Sequence, residues 1–281
     1  MSKVELPSYD APPVVETILG IQFEPIPGFT NGHLGSFWSY LGGRDAWPHT
    51  NDARAIPQEF EWFGEERKWI EMDKGIRLGL TTIPTTRLQL RNADRDRMVQ
   101  IQDGHLYYNW LGQDGGQYVR YEKIKREFDD IIQKFRAFLE IQQLPQMQPN
   151  QWEVAHTNHI LEGTVWSDAS DWINVFSPDI KFPVHLHYCA LETVNDQWVY
   201  EITPQRGRLR VQLQHAWKEP NGHQMLILTL AARGPVNDEI RLAARGETLA
   251  RRRAVDFTRD RGGEAMSILC NTRSFDNEEP A

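Results

Sequence analysis

At 281 residues the chain has room for one large domain or two of ordinary size, and a composition 40% hydrophobic and 11% aromatic, with ten Trp, argues against disorder through its body. A net charge of −8 excludes a protein built to wrap nucleic acid, which needs a Lys and Arg excess to neutralise phosphates. The only cysteines, Cys189 and Cys270, exclude a disulfide framework and point to a reducing cytoplasm.

The opening residues, Met1 to Pro7, have no apolar signal core, and the longest apolar stretch, residues 225–232, is too short to cross a bilayer. The reading is a soluble, cytoplasmic protein without a membrane partner. Residues 7–13 are extended because Pro7, Pro12 and Pro13 disfavour helix. Residues 14–24 alternate as a strand, with Val15, Thr17, Leu19, Ile21 and Phe23 on one face, and Pro25 and Pro27-Gly28 end it. Thr30 reads as the N-cap of a helix that buries Leu34, Phe37, Trp38 and Leu41. Residues 42–57 read as loop. Residues 86–92 and 97–103 form a hairpin, and Asp103-Gly104 makes a tight turn into a further strand at 105–111.

The clearest helix runs over residues 119–143. Tyr121, Ile124, Phe128, Ile131, Ile132, Phe135, Phe138 and Leu139 recur at three and four residues, the spacing of a core-facing stripe. Pro145 to Pro149 is the linker candidate and sets a boundary near 147, giving domains at 1–147 and 148–281. The second half then restarts the same order. A strand at 152–161 precedes a short helix at 168–176, strands at 183–190, 197–203, 208–217 and 224–231, and helical sequence from Asn237. Turns at 204–207 and 219–222 separate the later strands, and residues 274–281 form an acidic tail. The expected fold class is therefore α+β. It comprises two tandem β-α-β4-α units from an internal duplication, each an antiparallel sheet covered by a long helix. That architecture is similar to the TATA-binding-protein-like and helix-grip arrangements, a likeness of fold that does not fix function.

Several short motifs resemble a sporadically distributed family of uncharacterised two-domain bacterial proteins. The opening Ala11-Pro12-Pro13-Val14-Val15-Glu16 leading to Ile21-Gln22-Phe23 is one. Others are Gln100-Ile101-Gln102, Asn109-Trp110, Tyr118-Val119-Arg120-Tyr121-Glu122 and Thr157-Asn158-His159-Ile160. Gly20 stands where that family commonly carries an acidic residue, and the family's usual Trp near the C-terminus is missing. The resemblance implies a fold and carries no established activity.

Chemistry-bearing clusters are few. His185 and His187 share a strand face with Cys189, the start of a zinc ligand set, but His215 shares its face with Leu209, Val211 and Leu213 and so points away from that pair. No metal and no cofactor are expected. His156 and Asn158 lie on one strand face and His159 on the other, which suggests either a general base with a polar orienting group or a hydrogen-bonded central strand. No Gly-x-Ser-x-Gly elbow is present, and the glycines of residues 112–116 lack the Lys-Ser/Thr of a phosphate loop.

Strand parity yields a sharper expectation. With Leu88 and Leu90 inward, Arg87, Gln89 and Arg91 point outward; with Leu106, Tyr108 and Trp110 inward, so do His105, Tyr107 and Asn109. In the second half His185, His187, Arg210 and Gln212, with Gln214, follow the same rule. These residues, with His156, Asn158 and His159, are the candidate ligand-binding set, and Arg87 and Arg91 are candidates to hold an anion or carboxylate bidentately. The favoured function is binding of a protein or small-molecule ligand on the polar sheet faces or in the groove between domains. One alternative is a hydrolase or transferase using His156, Asn158 and His159. Another is single-stranded nucleic-acid binding on an aromatic, Arg-bearing sheet, with Arg251-Arg252-Arg253 as a further contact. Oligomeric state is not legible.

Overall fold

A computed structural model describes residues 12–63, 86–112, 118–167, 193, 195–202, 206–218 and 222–236. The first strand, β1 (Val14–Phe23), leads into α1 (Asn31–Tyr40), and the Thr30 N–H donates to His33 Nδ1 at the helix start. A single helical turn, α2 (Gly43–Ala46), precedes β2 (His49–Arg54). Then come β3 (Thr86–Arg91), β4 (Arg97–Gln102) and β5 (His105–Leu111), the last two joined through Gly104, whose φ of 89° is a left-handed value that favours glycine. The long helix α3 (Tyr121–Ile141) follows, and β6 (Pro149–Leu161), β7 (Asn195–Ile202), β8 (Gly207–Lys218) and β9 (His223–Pro235) complete the described elements.

These strands form one sheet of nine, in the order β2-β3-β4-β5-β1-β6-β9-β8-β7, with every neighbouring pair antiparallel. This corrects the expected fold class. Two separate α+β units, TATA-binding-protein-like or helix-grip-like, each with its own helix-covered sheet, are not what the chain forms. The physical reason lies in β1: its two edges pair with β5 and with β6, Thr17 standing between Trp110 and His156, so strands from both halves join one ladder. The stretch from Pro145 to Pro149 is a short, docked connection, with Met147 buried and the Glu24 N–H donating to the Gln148 carbonyl. Sheet dominates the described residues, with α1, α2 and α3 as their helices, and the expected internal duplication into two helix-covered sheets is contradicted by the single sheet. The second short helix, the strand at 183–190 and the helical sequence from Asn237 lie outside the described residues.

The apolar face of the sheet packs against α1 and α3. Phe37 of α1 meets Phe135 and Phe138 of α3 at ring-centroid distances of 5.1 and 5.3 Å, and Phe23 of β1 meets Phe135 at 5.7 Å. Each such ring taken from water contributes roughly 1.5–3 kcal/mol. Arg97 of β4 donates to Glu127 of α3 at 2.7 Å, and the Tyr108 hydroxyl donates to the same carboxylate at 3.0 Å, so a charged clasp fixes the helix against the sheet. Leu34, Phe37 and Leu41 are buried as the sequence predicts. Residues 42–57, expected as loop, contain α2 and β2. Strand β2 escapes a hydrophobicity reading because its sequence, HTNDAR, is exposed along most of its length and is held by pairing with β3.

Candidate binding face of the sheet

Alternation puts Leu88, Leu90, Leu106, Tyr108, Trp110, Leu209, Val211 and Leu213 among the core-forming residues, so their sequence neighbours occupy the opposite, polar face. Cα register aligns Asn51, Gln89, Gln100, Tyr107, Gly20, Glu153, Arg233, Arg208 and Glu201 in one row running from β2 to β7. A second row holds Gln102, His105, Gln22 and Gln151. An antiparallel sheet commonly leaves such a face in water. Here every residue of β4, and every residue of β5 except Leu111, is buried on either face.

The cover is supplied by residues 55–63, an irregular strap that crosses the strands. Gln102 grips it like a neighbouring strand: its Oε1 accepts the Ile56 N–H at 2.8 Å and its Nε2 donates to the Ile56 carbonyl at 2.8 Å. The Gln58 amide donates to the Phe23 carbonyl, Gln22 Oε1 accepts the Glu59 N–H, and Gln151 Oε1 accepts the Glu61 N–H. Further along, the strap is held by charge. Glu61, 3% exposed at its side chain, pairs with Arg208 at 2.5 Å and Arg210 at 2.6 Å, while Glu59 pairs with Arg233, which also bonds Glu153. Arg208 donates to the Trp62 carbonyl and stacks over the Phe63 ring. The sequence of residues 59–63, Glu-Phe-Glu-Trp-Phe, thus turns acids onto the sheet and leaves Phe60 and Trp62 exposed.

This network determines what the candidate residues do. His105 accepts at Nδ1 from the Gln102 amide, which makes Nε2 the donor to Gln22 Oε1, and Gln22 in turn donates to Asn150. Burial, then the fields of Arg233 and Arg87, lower the His105 pKa to about 4, so the ring is neutral. The Tyr107 ring lies across Gly20, where a Cβ would sit 2.4 Å from ring carbons, and its hydroxyl donates to Glu153. Burial and the Glu153 charge raise the Tyr107 pKa. For Arg233, burial is outweighed by Glu153 and Glu59, and its pKa rises. Gln89 accepts from Asn51 and donates to Gln100, Gln100 donates to Asn109, and Asn109 donates to Glu16, an amide chain from β2 to β1. Arg210 is paired with Glu61, and Gln212 sits half-buried opposite Thr229.

Three arginines on this face, Arg208, Arg210 and Arg233, are matched by carboxylates. Arg87 differs. It is half-buried opposite Ala53 of β2, its Nε is sealed from solvent without an acceptor, and among the described residues it has no carboxylate partner. Arg91 is exposed at the other end of β3. Four residues along a strand span about 13 Å, so the two guanidinium stems do not frame one anion as a pair.

The structure separates the histidine cluster. His156 and Asn158 face the apolar layer. His156 lies 6.3 Å ring to ring from Tyr121 of α3, and the Asn158 amide donates to the Leu228 carbonyl. His159 faces the opposite side, with its N–H donating to the Pro13 carbonyl. The His156 pKa falls to about 4 through burial, and its Nε2 and the cross-strand Thr17 Oγ1 are both buried without partners. His215 lies on the apolar side with Trp166 and Trp217 and meets Gln224. His185, His187, Cys189 and the Arg251–253 run lie outside the described residues. Among the described residues no group of three or more His, Cys, Asp or Glu side chains is placed to hold a metal ion, and no helix is long and apolar enough to cross a membrane. Parity reasoning missed Gln22, Gln102, Glu59, Glu61, Glu153, Arg208 and Arg233; the alternation of acid and aromatic at 59–63 was the one available signal. Comparison with family models, curated proteins and solved structures finds no match for this chain.

Proposed function

We propose that this is a binding or interaction protein that recognises a ligand or partner on the polar sheet face, at the β3 side of the strap. Arg87 carries the reading. On a face where the amides bond one another and three arginines have carboxylates, this guanidinium has a buried Nε without an acceptor and, among the described residues, no carboxylate to balance its charge. A half-buried cation without a counter-charge is held at a desolvation cost that an arriving acceptor removes. The neighbour of Arg87 on the same face, Gln89, is bonded to Asn51 and Gln100, while Arg54 lies opposite Thr86 and Arg91 lies exposed at the far end of β3, so neither belongs to the proposed site. The family resemblance, if followed, assigns no activity that competes with this reading.

The test is native mass spectrometry and affinity capture of the full chain from its own cells, keeping protein and small-molecule fractions. Arg87→Ala is expected to lose a species that wild type retains, while Arg54→Ala, on the exposed edge strand, keeps it. Identical bound species in wild type and Arg87→Ala, with both folded by circular dichroism, would remove the basis of the proposal.

A further inference from the structure

The Arg87 guanidinium, without a carboxylate partner among the described residues, also specifies a chemical class. We infer that Arg87 is the anchor for the carboxylate group of a small-molecule ligand, an inference that rests on the binding reading above. Three observations set the class. First, the charge to be matched is single. Arg91 lies about four strand residues away, roughly 13 Å, and Arg233 is already paired with Glu59 and Glu153. A monoanion balances this site, whereas a phosphate dianion would leave excess negative charge among neutral groups.

Second, the neighbouring side chains among the described residues are neutral and hydrogen-bonded. Gln89, Gln100 and Gln102 are engaged with one another, with Asn51 and Asn109, or with the strap, and His105 has both ring nitrogens in use. The orienting donors must therefore come from the guanidinium itself, and its planar fork matches the two oxygens of a carboxylate. Third, access is narrow. The strap is clamped at Ile56 to Gln102, which follows Ile101, the cross-strand partner of Leu88, and Arg87 Nε is sealed. A compact group reaches the free donors more readily than a folded partner's surface.

The decisive experiment titrates acetate into the full chain labelled with 15N-arginine, at constant ionic strength against chloride. The Arg87 Nε–H resonance is assigned by its loss in Arg87→Lys. The expected result is a saturable shift of that resonance, unchanged in Arg91→Gln. Acetate should also raise the thermal midpoint of wild type and not that of Arg87→Gln, which keeps the readout independent of the assignment. The absence of saturation by acetate overturns the inference. Saturation at lower concentration by inorganic phosphate overturns the choice of a monoanion. Equal affinity for a capped peptide containing one Glu overturns the small-molecule source in favour of an acidic side chain. If acetate fails while capture still depends on Arg87, the carboxylate inference falls and the binding reading survives. If capture is independent of Arg87, the reading itself falls.

Discussion

His156 offers a prediction whose size follows from its position. The imidazole is buried beneath α3, its pKa is lowered to about 4 by desolvation, and its Nε2 has no hydrogen-bond partner. In the unfolded chain the same group titrates near 6.5. A folded pKa below the unfolded one means that the unfolded state binds the proton first. The stability contribution is therefore intact above about pH 6.5 and is lost as pH falls toward 4. At about pH 5 the unfolded ring is almost fully protonated and the folded ring hardly at all, which costs about 2 kcal/mol relative to pH 7.5. His105, with a pKa also lowered to about 4, adds a comparable loss. Urea denaturation followed by Trp fluorescence at both pH values measures the sum. His156→Leu should be close to neutral at pH 7.5, because the lost polar atom had no partner, and more stable than wild type by about 2 kcal/mol at pH 5. Carboxylates common to both proteins cancel in that comparison. An unchanged pH dependence in His156→Leu would show that the ring is solvated or paired in the native state and would refute the burial argument.

Two further perturbations test the polar face. Gly20→Ala places a methyl where the Tyr107 ring carbons lie 2.4 Å away, so a loss of about 1–3 kcal/mol is expected. Adding Tyr107→Ala should make the pair less than additive in a denaturation double-mutant cycle, and strict additivity would show that the ring does not cross Gly20. Glu61→Gln removes the carboxylate shared by Arg208 and Arg210 and leaves two half-buried guanidinium groups uncompensated. A loss of roughly 3 kcal/mol and faster proteolysis within residues 55–63 are expected, and wild-type resistance would mean that the strap is held by its backbone contacts alone.

The sequence reading succeeded where one element determines its own pattern. The stripe from Tyr121 to Leu139 defines α3, the Asp103-Gly104 pair defines the β4–β5 turn, and parity correctly places Arg87, Gln89, His105, Tyr107 and Asn109 opposite the core side chains. It failed where the answer depends on what lies next door. Nothing in residues 14–23 states that β1 will pair on both edges, so the pattern predicts two sheets where the chain forms one of nine strands. Strand β2 has no apolar face to betray it, and residues 55–63 have no regular period because side chains of the sheet, rather than a ladder, hold them.

That distinction changes what a polar face means. Arg, Gln, His, Tyr and Asn on alternate strand positions look the same in sequence whether they await a ligand or grip another part of the chain. The structure separates the two cases by saturation. His105, Tyr107 and Arg210 look like recognition groups, yet their bonds go to Gln22 and Gln102, to Glu153, and to Glu61. Gln102 matches both backbone polar groups of Ile56, as an added strand would. Once those bonds are assigned, the abundance of polar groups carries little information about ligands, because intramolecular neighbours satisfy them. The informative residue is the one the network leaves over. Arg87 sits beside amides bonded to one another, with a charge that no carboxylate among the described residues balances, and a ligand that restores the balance gains from desolvation already incurred in folding.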